Sequence, residues 1–77
     1  MGYEMINGRI IYFYAEIDPE DNMCIAMIRS AVKPENADNS NMIHVPVYDT
    51  NYIFKYYING SWYEDAAGTI PWQSSLI

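Results

Sequence analysis

The 77-residue chain has little of what small proteins commonly use to stabilise a compact fold. Cys24 is the only cysteine, so no disulfide can form within the chain. His44 is the only histidine, and a metal site built from histidine and cysteine ligands is therefore not expected. A domain of this size buries a modest core and is marginally stable alone. These absences predict one small domain that is stabilised by its aromatic residues or by a partner chain.

Basic residues are also scarce, because four Lys and Arg stand against ten Asp and Glu, for a formal net charge of −6. An acidic surface repels phosphate backbones and anionic lipid headgroups, so nucleic-acid and membrane-surface binding are disfavoured. No apolar run approaches the length of a membrane span, and no basic segment with a following apolar stretch opens the chain. We therefore expect no nucleic-acid partner and no membrane insertion.

Patterns typical of catalytic sites are missing as well. No serine lies in a Gly-x-Ser-x-Gly sequence, and the four glycines are too scattered to form a phosphate-binding loop. Without a neighbouring carboxylate or cysteine, His44 is interpreted as a surface or hydrogen-bonded side chain. Cys24 lies in an apolar run and is interpreted as a small buried hydrophobe. We therefore predict no enzymatic activity and no cofactor.

Aromatic residues are abundant, with eight Tyr, two Trp and two Phe. Several of them flank Asn59-Gly60, the dipeptide that best predicts a two-residue β-hairpin, because its type I′ turn needs two residues with positive φ. A second Asn-Gly pair occurs at Asn7-Gly8. Aromatic residues favour a pleated, half-buried surface, so we expect hairpins at both places.

Residues 9–17 are β-branched and aromatic and predict a strand with two different faces. One face carries Ile11, Phe13, Ala15 and Ile17 and is expected to form the core. The other carries Ile10, Tyr12, Tyr14 and Glu16. Tyrosine can bury its ring while its hydroxyl stays in water, so the second face suits partial burial or contact with a partner.

The rest of the sequence also predicts β-strands, so the chain is expected to be all-β. Strands are predicted over residues 3–6, 9–17, 23–29, 42–47, 52–58 and 61–64. Residues 30–41 are almost wholly polar and predict a long loop, either a solvated connector or a recognition site. We predict a small antiparallel sheet, a meander or open barrel of five or six short strands, with a β domain over 1–65 and an extended C-terminal arm over 66–77.

The predicted arm carries apolar residues that a solvated tail does not need, and it could pack on its own sheet or on a neighbouring subunit. Together with the tyrosines of residues 9–17 and the tryptophan of the second hairpin, it supplies the candidate partner contacts. These candidates are Tyr12, Tyr14, Trp62, Trp72, Leu76 and Ile77.

The order of strands and turns over residues 12–65 resembles small bacteriophage tail and virion proteins and the terminal modules of tail fibres. The residues that carry this resemblance are Ala15-Glu16-Ile17-Asp18, Asn22-Met23-Cys24-Ile25, Asn41-Met42-Ile43, Val47-Tyr48-Asp49 and Lys55-Tyr56-Tyr57-Ile58-Asn59-Gly60-Ser61-Trp62. The resemblance implies a structural, non-enzymatic role in a virion assembled in the host cytoplasm. The implied partners are other virion proteins or further copies of the chain.

Two other classes of function stay open at this level. A host-surface or glycan-binding module could use the aromatic rings, because tyrosine and tryptophan can stack on sugar rings. A small acidic regulator or inhibitor made by a phage could instead present its negative surface to a basic host protein.

Overall fold

A computed structural model describes residues 2–77 of the chain, and among these residues the fold is antiparallel and almost entirely β. The strands are β1 (Tyr3–Ile6), β2 (Arg9–Ile17), β3 (Cys24–Ser30), β4 (Met42–His44), β5 (Tyr56–Ile58) and β6 (Ser61–Tyr63). Single turns of 3₁₀ helix at Pro34–Asn36 and Thr50–Tyr52 lie between strands. The prediction of an all-β fold with six short strands is confirmed, and no barrel closes within the described chain.

The nine-residue strand β2 organises the larger, four-stranded sheet. β1 pairs with its first half, from Ile6 opposite Arg9 to Tyr3 opposite Tyr12, across the Asn7-Gly8 turn. β3 pairs with the second half of β2 along the edge opposite β1. β4 pairs with residues 14–16 of β2, on the same edge as β1. Because β4 returns to β2, the sheet is not a simple meander.

The second sheet is the predicted hairpin of β5 and β6 around Asn59-Gly60. The segment that leads into β5 runs beside the start of β3. Cys24 donates its backbone N–H to the Lys55 carbonyl at 2.7 Å, and Phe54 donates to the Cys24 carbonyl at 2.8 Å. Tyr57 donates to the Asn22 carbonyl at 2.9 Å. These backbone bonds hold the two sheets together.

The core lies on the predicted inner face of β2. Its buried residues are Phe13, Ala15, Ile17, Cys24, Val45 and Tyr52. Val45 belongs to this core and Ile43 and Val47 pack on it, while His44 points to the opposite face. Of the predicted inner face of β2, Phe13, Ala15 and Ile17 are buried in the core, whereas Ile11 is half-buried and lies outside it. The placement of Cys24 as a buried hydrophobe is confirmed.

Two predicted strands are shorter than their patterns indicate. Residues 52–55 are not a strand, because Asp49 accepts a hydrogen bond from the Asn51 N–H at 2.9 Å and starts a 3₁₀ turn. The turn buries Tyr52 and leaves Phe54 at φ +77 and 69 % exposed. β4 ends at His44, before Pro46, whose missing N–H cannot extend a ladder.

Gly2 joins the ends of β1 and β4. It donates to the Pro46 carbonyl at 2.7 Å and accepts from the Phe13 N–H at 3.1 Å. Its φ is +75, and an added Cβ would lie 2.5 Å from Nε2 of His44 and 2.9 Å from the Val45 carbonyl oxygen. Gly2 is therefore required both for its backbone conformation and for space.

We predict that Gly2→Ala lowers the free energy of unfolding by about 3 kcal/mol, because it combines an unfavourable φ with overpacking. Gly8→Ala is the matched control, because Gly8 has φ +77 and nothing within 4 Å of an added Cβ. The control should lose only about 1 kcal/mol. Urea unfolding checks both, and equal losses would contradict the close approach at Gly2.

Candidate functional site

The outer face of the four-stranded sheet is the best candidate for a functional surface. Directly opposed residues of antiparallel strands lie on the same face, so the register defines which side chains belong to it. Tyr3 pairs with Tyr12, Met5 with Ile10, Tyr12 with Ser30, and Tyr14 with both Ile28 and His44. We call the residues of this set the tyrosine face: Tyr3, Met5, Ile10, Tyr12, Tyr14, Ile28, Ser30 and His44.

A continuous row of rings crosses the tyrosine face. The ring centroids of Tyr3 and Tyr12 are 6.2 Å apart, those of Tyr12 and His44 are 5.9 Å apart, and those of His44 and Tyr14 are 5.7 Å apart. All three separations and tilted geometries are favourable for aromatic contacts. His44 Nε2 lies 2.9 Å from the Gly2 carbonyl oxygen, which anchors the middle of the row to the backbone. His44 is thus the hydrogen-bonded side chain that the sequence predicted.

No aspartate, glutamate, lysine or arginine belongs to the tyrosine face, although the chain has a net charge of −6. The nearest acid on this side of β2 is Glu16, beyond its far end. Met5 is 60 % exposed and Ile10 is 42 % exposed. Surfaces that are depleted of charge and rich in tyrosine and methionine are typical of the centres of protein–protein interfaces.

Of the two predicted contact tyrosines, only Tyr12 offers surface. Tyr12 is half-buried in the middle of the face, whereas Tyr14 is 2 % exposed. The Tyr14 hydroxyl donates to the Val32 carbonyl at 2.6 Å. Burial raises the pKa of Tyr14, and the neighbouring Tyr12 and Glu35 raise it further. Tyr14 therefore holds the long loop on the sheet and presents no outer surface.

A pocket opens where the loop of residues 30–41 meets the tyrosine face. It has a volume of about 380 Å³. Its walls are Tyr14, Ser30, Val32, Asn36, Ala37, Asp38, Asn39 and Met42. The surface of this cavity is mostly apolar, with some amide and carboxylate groups, and the cavity could hold a small ligand that has an apolar face.

The two predicted contact tryptophans meet around Tyr52. The Tyr52 ring is 5.0 Å from the Trp62 ring and 4.9 Å from the Trp72 ring, both in edge-to-face geometry. Lys55 Nζ lies 5.1 Å from the centre of the Trp72 ring. Burial raises the pKa of Tyr52, with Asp49 as the next contributor. Trp72 therefore packs on its own chain.

The arm runs beside β6 almost as a further strand. Trp72 donates its N–H to the Trp62 carbonyl at 3.0 Å, and Glu64 donates to the Ile70 carbonyl at 2.8 Å. Asp65 shapes the turn before it, because its carboxylate accepts from the Thr69 hydroxyl and from the Ile70 N–H. Both hydrogen bonds lower the pKa of Asp65, and the bond from the Thr69 hydroxyl has the larger effect. Much of the arm predicted for residues 66–77 thus packs on the β domain.

A buried hydrogen bond fixes the end of the arm. The Ser74 hydroxyl donates to Oδ2 of Asp49 at 2.5 Å, and both side chains are buried. Ser74 Oγ also accepts from the Leu76 N–H at 3.1 Å. Leu76 and Ile77 follow this bond and are each 61 % exposed. These two predicted contact residues therefore lie on the surface next to a well-anchored serine.

Other chemistry on the described residues is limited. Burial raises the pKa of the Cys24 thiol, whose Sγ donates to the Ala26 carbonyl at 3.4 Å. Between Gly2 and Ile77, no group of three or more His, Cys, Asp or Glu side chains is arranged to hold a metal ion. Within the same residues, no helix has the length and apolar character needed to cross a membrane.

Sequence reasoning missed part of the tyrosine face. The alternation along β2 identified Ile10, Tyr12 and Tyr14, but Tyr3, Met5 and His44 join them only through pairing with β1 and β4. The Asn7-Gly8 turn could have revealed Tyr3 and Met5, because a two-residue turn fixes the register of its strands. No local signal indicated that β4 would pair with β2.

Comparisons of the chain with protein-family models, with curated proteins and with solved structures found no match.

We predict that Ser74→Ala lowers the free energy of unfolding by about 2 kcal/mol, because it leaves a buried carboxylate without its hydroxyl donor. Ser75→Ala is the control, since Ser75 is exposed, and it should change stability by less than about 0.5 kcal/mol. Chemical denaturation followed by tryptophan fluorescence measures both. A Ser74→Ala protein as stable as the Ser75→Ala protein would show that the arm is not held by this bond.

Proposed function

We propose that the chain is a non-enzymatic structural component of a bacteriophage particle, in the tail, baseplate or capsid, and that it acts through protein–protein contacts. The phage setting is supported by the resemblance over residues 12–65 to small virion proteins. The mode of action is supported by the tyrosine face, which is the single observation that carries the proposal.

The charge distribution makes the tyrosine face the best contact surface. A solvated face of an acidic protein normally carries charged side chains, and this one carries none over the residues that define it. Met5 and Ile10 offer apolar area, and Tyr12 offers a ring with a hydroxyl. Burying such a surface against another protein removes apolar area from water without stripping water from charges.

The C-terminal residues provide a second, smaller contact. Leu76 and Ile77 are exposed, yet the Ser74–Asp49 bond fixes the backbone just before them. Anchoring reduces the conformational entropy that binding would remove. Trp62 and Trp72 support this region from within, because they pack on Tyr52.

The test is mass spectrometry of purified phage particles, in which we expect the chain at a fixed ratio to the other structural proteins. Ile10→Glu should lower its incorporation at least about tenfold, because the new carboxylate would be buried without a partner. Ile70→Glu adds the same charge at a residue that is 51 % exposed and lies outside the tyrosine face, so incorporation should be unchanged. Absence of the chain from the particles, or equal effects of both variants, would contradict the proposal.

The pocket beside the tyrosine face favours one second candidate, a glycan-binding module. Tyr14 lies in its wall, and Asn36, Asp38 and Asn39 supply amide and carboxylate groups of the kind that bind sugar hydroxyls. In this role the loop of residues 30–41 would be a recognition site and not a connector.

A glycan array with the full chain tests this candidate. If the pocket binds sugar, we expect retained glycans whose signal falls at least about tenfold with Asp38→Ala, which removes a charged hydrogen-bond partner. Asp21→Ala is the control, because Asp21 lies in the exposed turn between β2 and β3. No retained glycan, or equal loss with both variants, would exclude a sugar site in the pocket.

A further inference from the structure

The hairpin of β1 and β2 extends beyond the rest of the sheet. β3 pairs with β2 only from Tyr12 onward and β4 only from Tyr14 onward, so residues 3–11 form a ribbon without a third strand among the described residues. The molecule is accordingly elongated, with extents of 41 × 27 × 17 Å. Two-stranded ribbons are marginally stable in water unless something covers them.

The ribbon exposes apolar side chains on both faces, and the face of Ile6 also carries Glu4 and Arg9. Met5 is 60 % exposed on one face, with Ile10 beside it at 42 %, and Ile6 is 42 % exposed on the other. A two-stranded ribbon that exposes apolar residues on both sides would be stabilised by a further strand.

The outer edge of β1 also presents unpaired backbone groups at Met5. Ile6 and Arg9 close the two-residue turn and therefore form a hydrogen-bonded pair. Pairs alternate along an antiparallel ladder, so Met5 opposite Ile10 is a non-hydrogen-bonded pair. The N–H and C=O of Met5 point away from β2, and such an edge is a template for a further strand.

Charge argues that the further strand comes from a second copy of the chain. Residues 1–15 carry only Glu4 and Arg9, whereas residues 16–77 carry nine acidic and three basic side chains. Two copies can meet at the neutral ribbon without bringing their acidic regions together. A basic partner protein would be attracted to the other end of the molecule.

We infer that two copies of the chain pair β1 with β1 in antiparallel orientation, around a twofold axis beside Met5. This inference rests on the proposed function and names a second copy as a partner of the same surface. Met5 of each copy would exchange both backbone hydrogen bonds with Met5 of the other copy. In this register Glu4 stands opposite Ile6 of the second copy, so no like charges are opposed.

The same register brings opposite charges together. Ile6 and Arg9 are directly opposed within each copy, so Glu4, Ile6 of the second copy and Arg9 of the second copy lie in one row on one face. Glu4 and Arg9 are then two strand spacings apart, about 9.6 Å between backbones, a distance that their side chains can span. Within its own chain Glu4 accepts from Arg29 Nε through Oε1 at 2.8 Å, so Arg9 of the second copy would approach the other carboxylate oxygen of Glu4. Symmetry makes two such pairs, which is charge complementarity of an isologous interface.

The dimer has a consequence for the tyrosine face. Met5 opposes Met5 on one continuous sheet, so the tyrosine faces of both copies lie on the same side. The assembled surface has twice the uncharged area of one chain and twofold symmetry, which suits a symmetric or repeated partner.

Sedimentation equilibrium of the full-length chain tests the inference. We expect a reversible dimer whose dissociation constant rises at least about tenfold with Met5→Lys, because lysine on an edge strand opposes further pairing. Ile70→Lys is the control, since Ile70 is 51 % exposed and lies outside both the ribbon and the proposed C-terminal contact. Arg9→Glu should also weaken the dimer, because it removes both intermolecular charge pairs. It leaves the sequence of β1 unchanged, so it still tests the inference if Met5→Lys does not fold.

A chain that stays monomeric at every concentration would overturn this inference, and so would a dimer that Ile70→Lys weakens and Arg9→Glu does not. These outcomes are separate from the test of the proposed function. A monomer found at a fixed ratio in phage particles overturns the twofold pairing alone, whereas a dimer missing from the particles overturns the phage role alone.

Discussion

The packing of Tyr52 between Trp62 and Trp72 is the interaction on which the rest of the structure depends. Its ring contacts join a 3₁₀ turn, the second hairpin and the C-terminal arm at one buried point. The backbone that follows Tyr52 pairs with Cys24 and so ties this point to the larger sheet. The chain can form no internal disulfide, and at this point it is stabilised by aromatic rings from residues far apart in sequence. Because the tryptophans pack within the domain, they take no part in the outer sheet face for which a contact is proposed.

The distribution of charge connects this architecture to function. The core and the aromatic cluster hold the sheets together on one side of β2, so the opposite side is left as a surface. On that surface the chain places rings and aliphatic groups and no charged side chain between the Asn7-Gly8 turn and Tyr14. The acidic groups of the chain lie elsewhere. A domain that cannot bury a large core is thereby suited to complete its burial of apolar area with neighbours.

Much of the fold was predictable from short-range rules, and the rest depended on contacts distant in sequence. Alternation in β2 and the two Asn-Gly turns predicted both hairpins and the inner face. The same rules predicted residues 52–55 as a strand, although the burial of Tyr52 by two distant tryptophans and the bond from Phe54 to Cys24 impose a turn with positive φ. Tyr14 was predicted to be partly buried or in contact with a partner, and its nearly complete burial could not be predicted because its hydroxyl bonds to the Val32 carbonyl, eighteen residues away.

Oxidative footprinting of Met5 tests the central claim most directly, namely that the tyrosine face is a surface for contact with protein. The thioether of Met5 is 60 % exposed in the single chain and reacts readily with oxidants. We predict that the oxidation rate of Met5 falls as the concentration of the purified chain rises. The oxidation rate of Trp72, which packs within the chain, should stay constant. A Met5 oxidation rate that is independent of concentration, with protection appearing elsewhere on the chain, would contradict it.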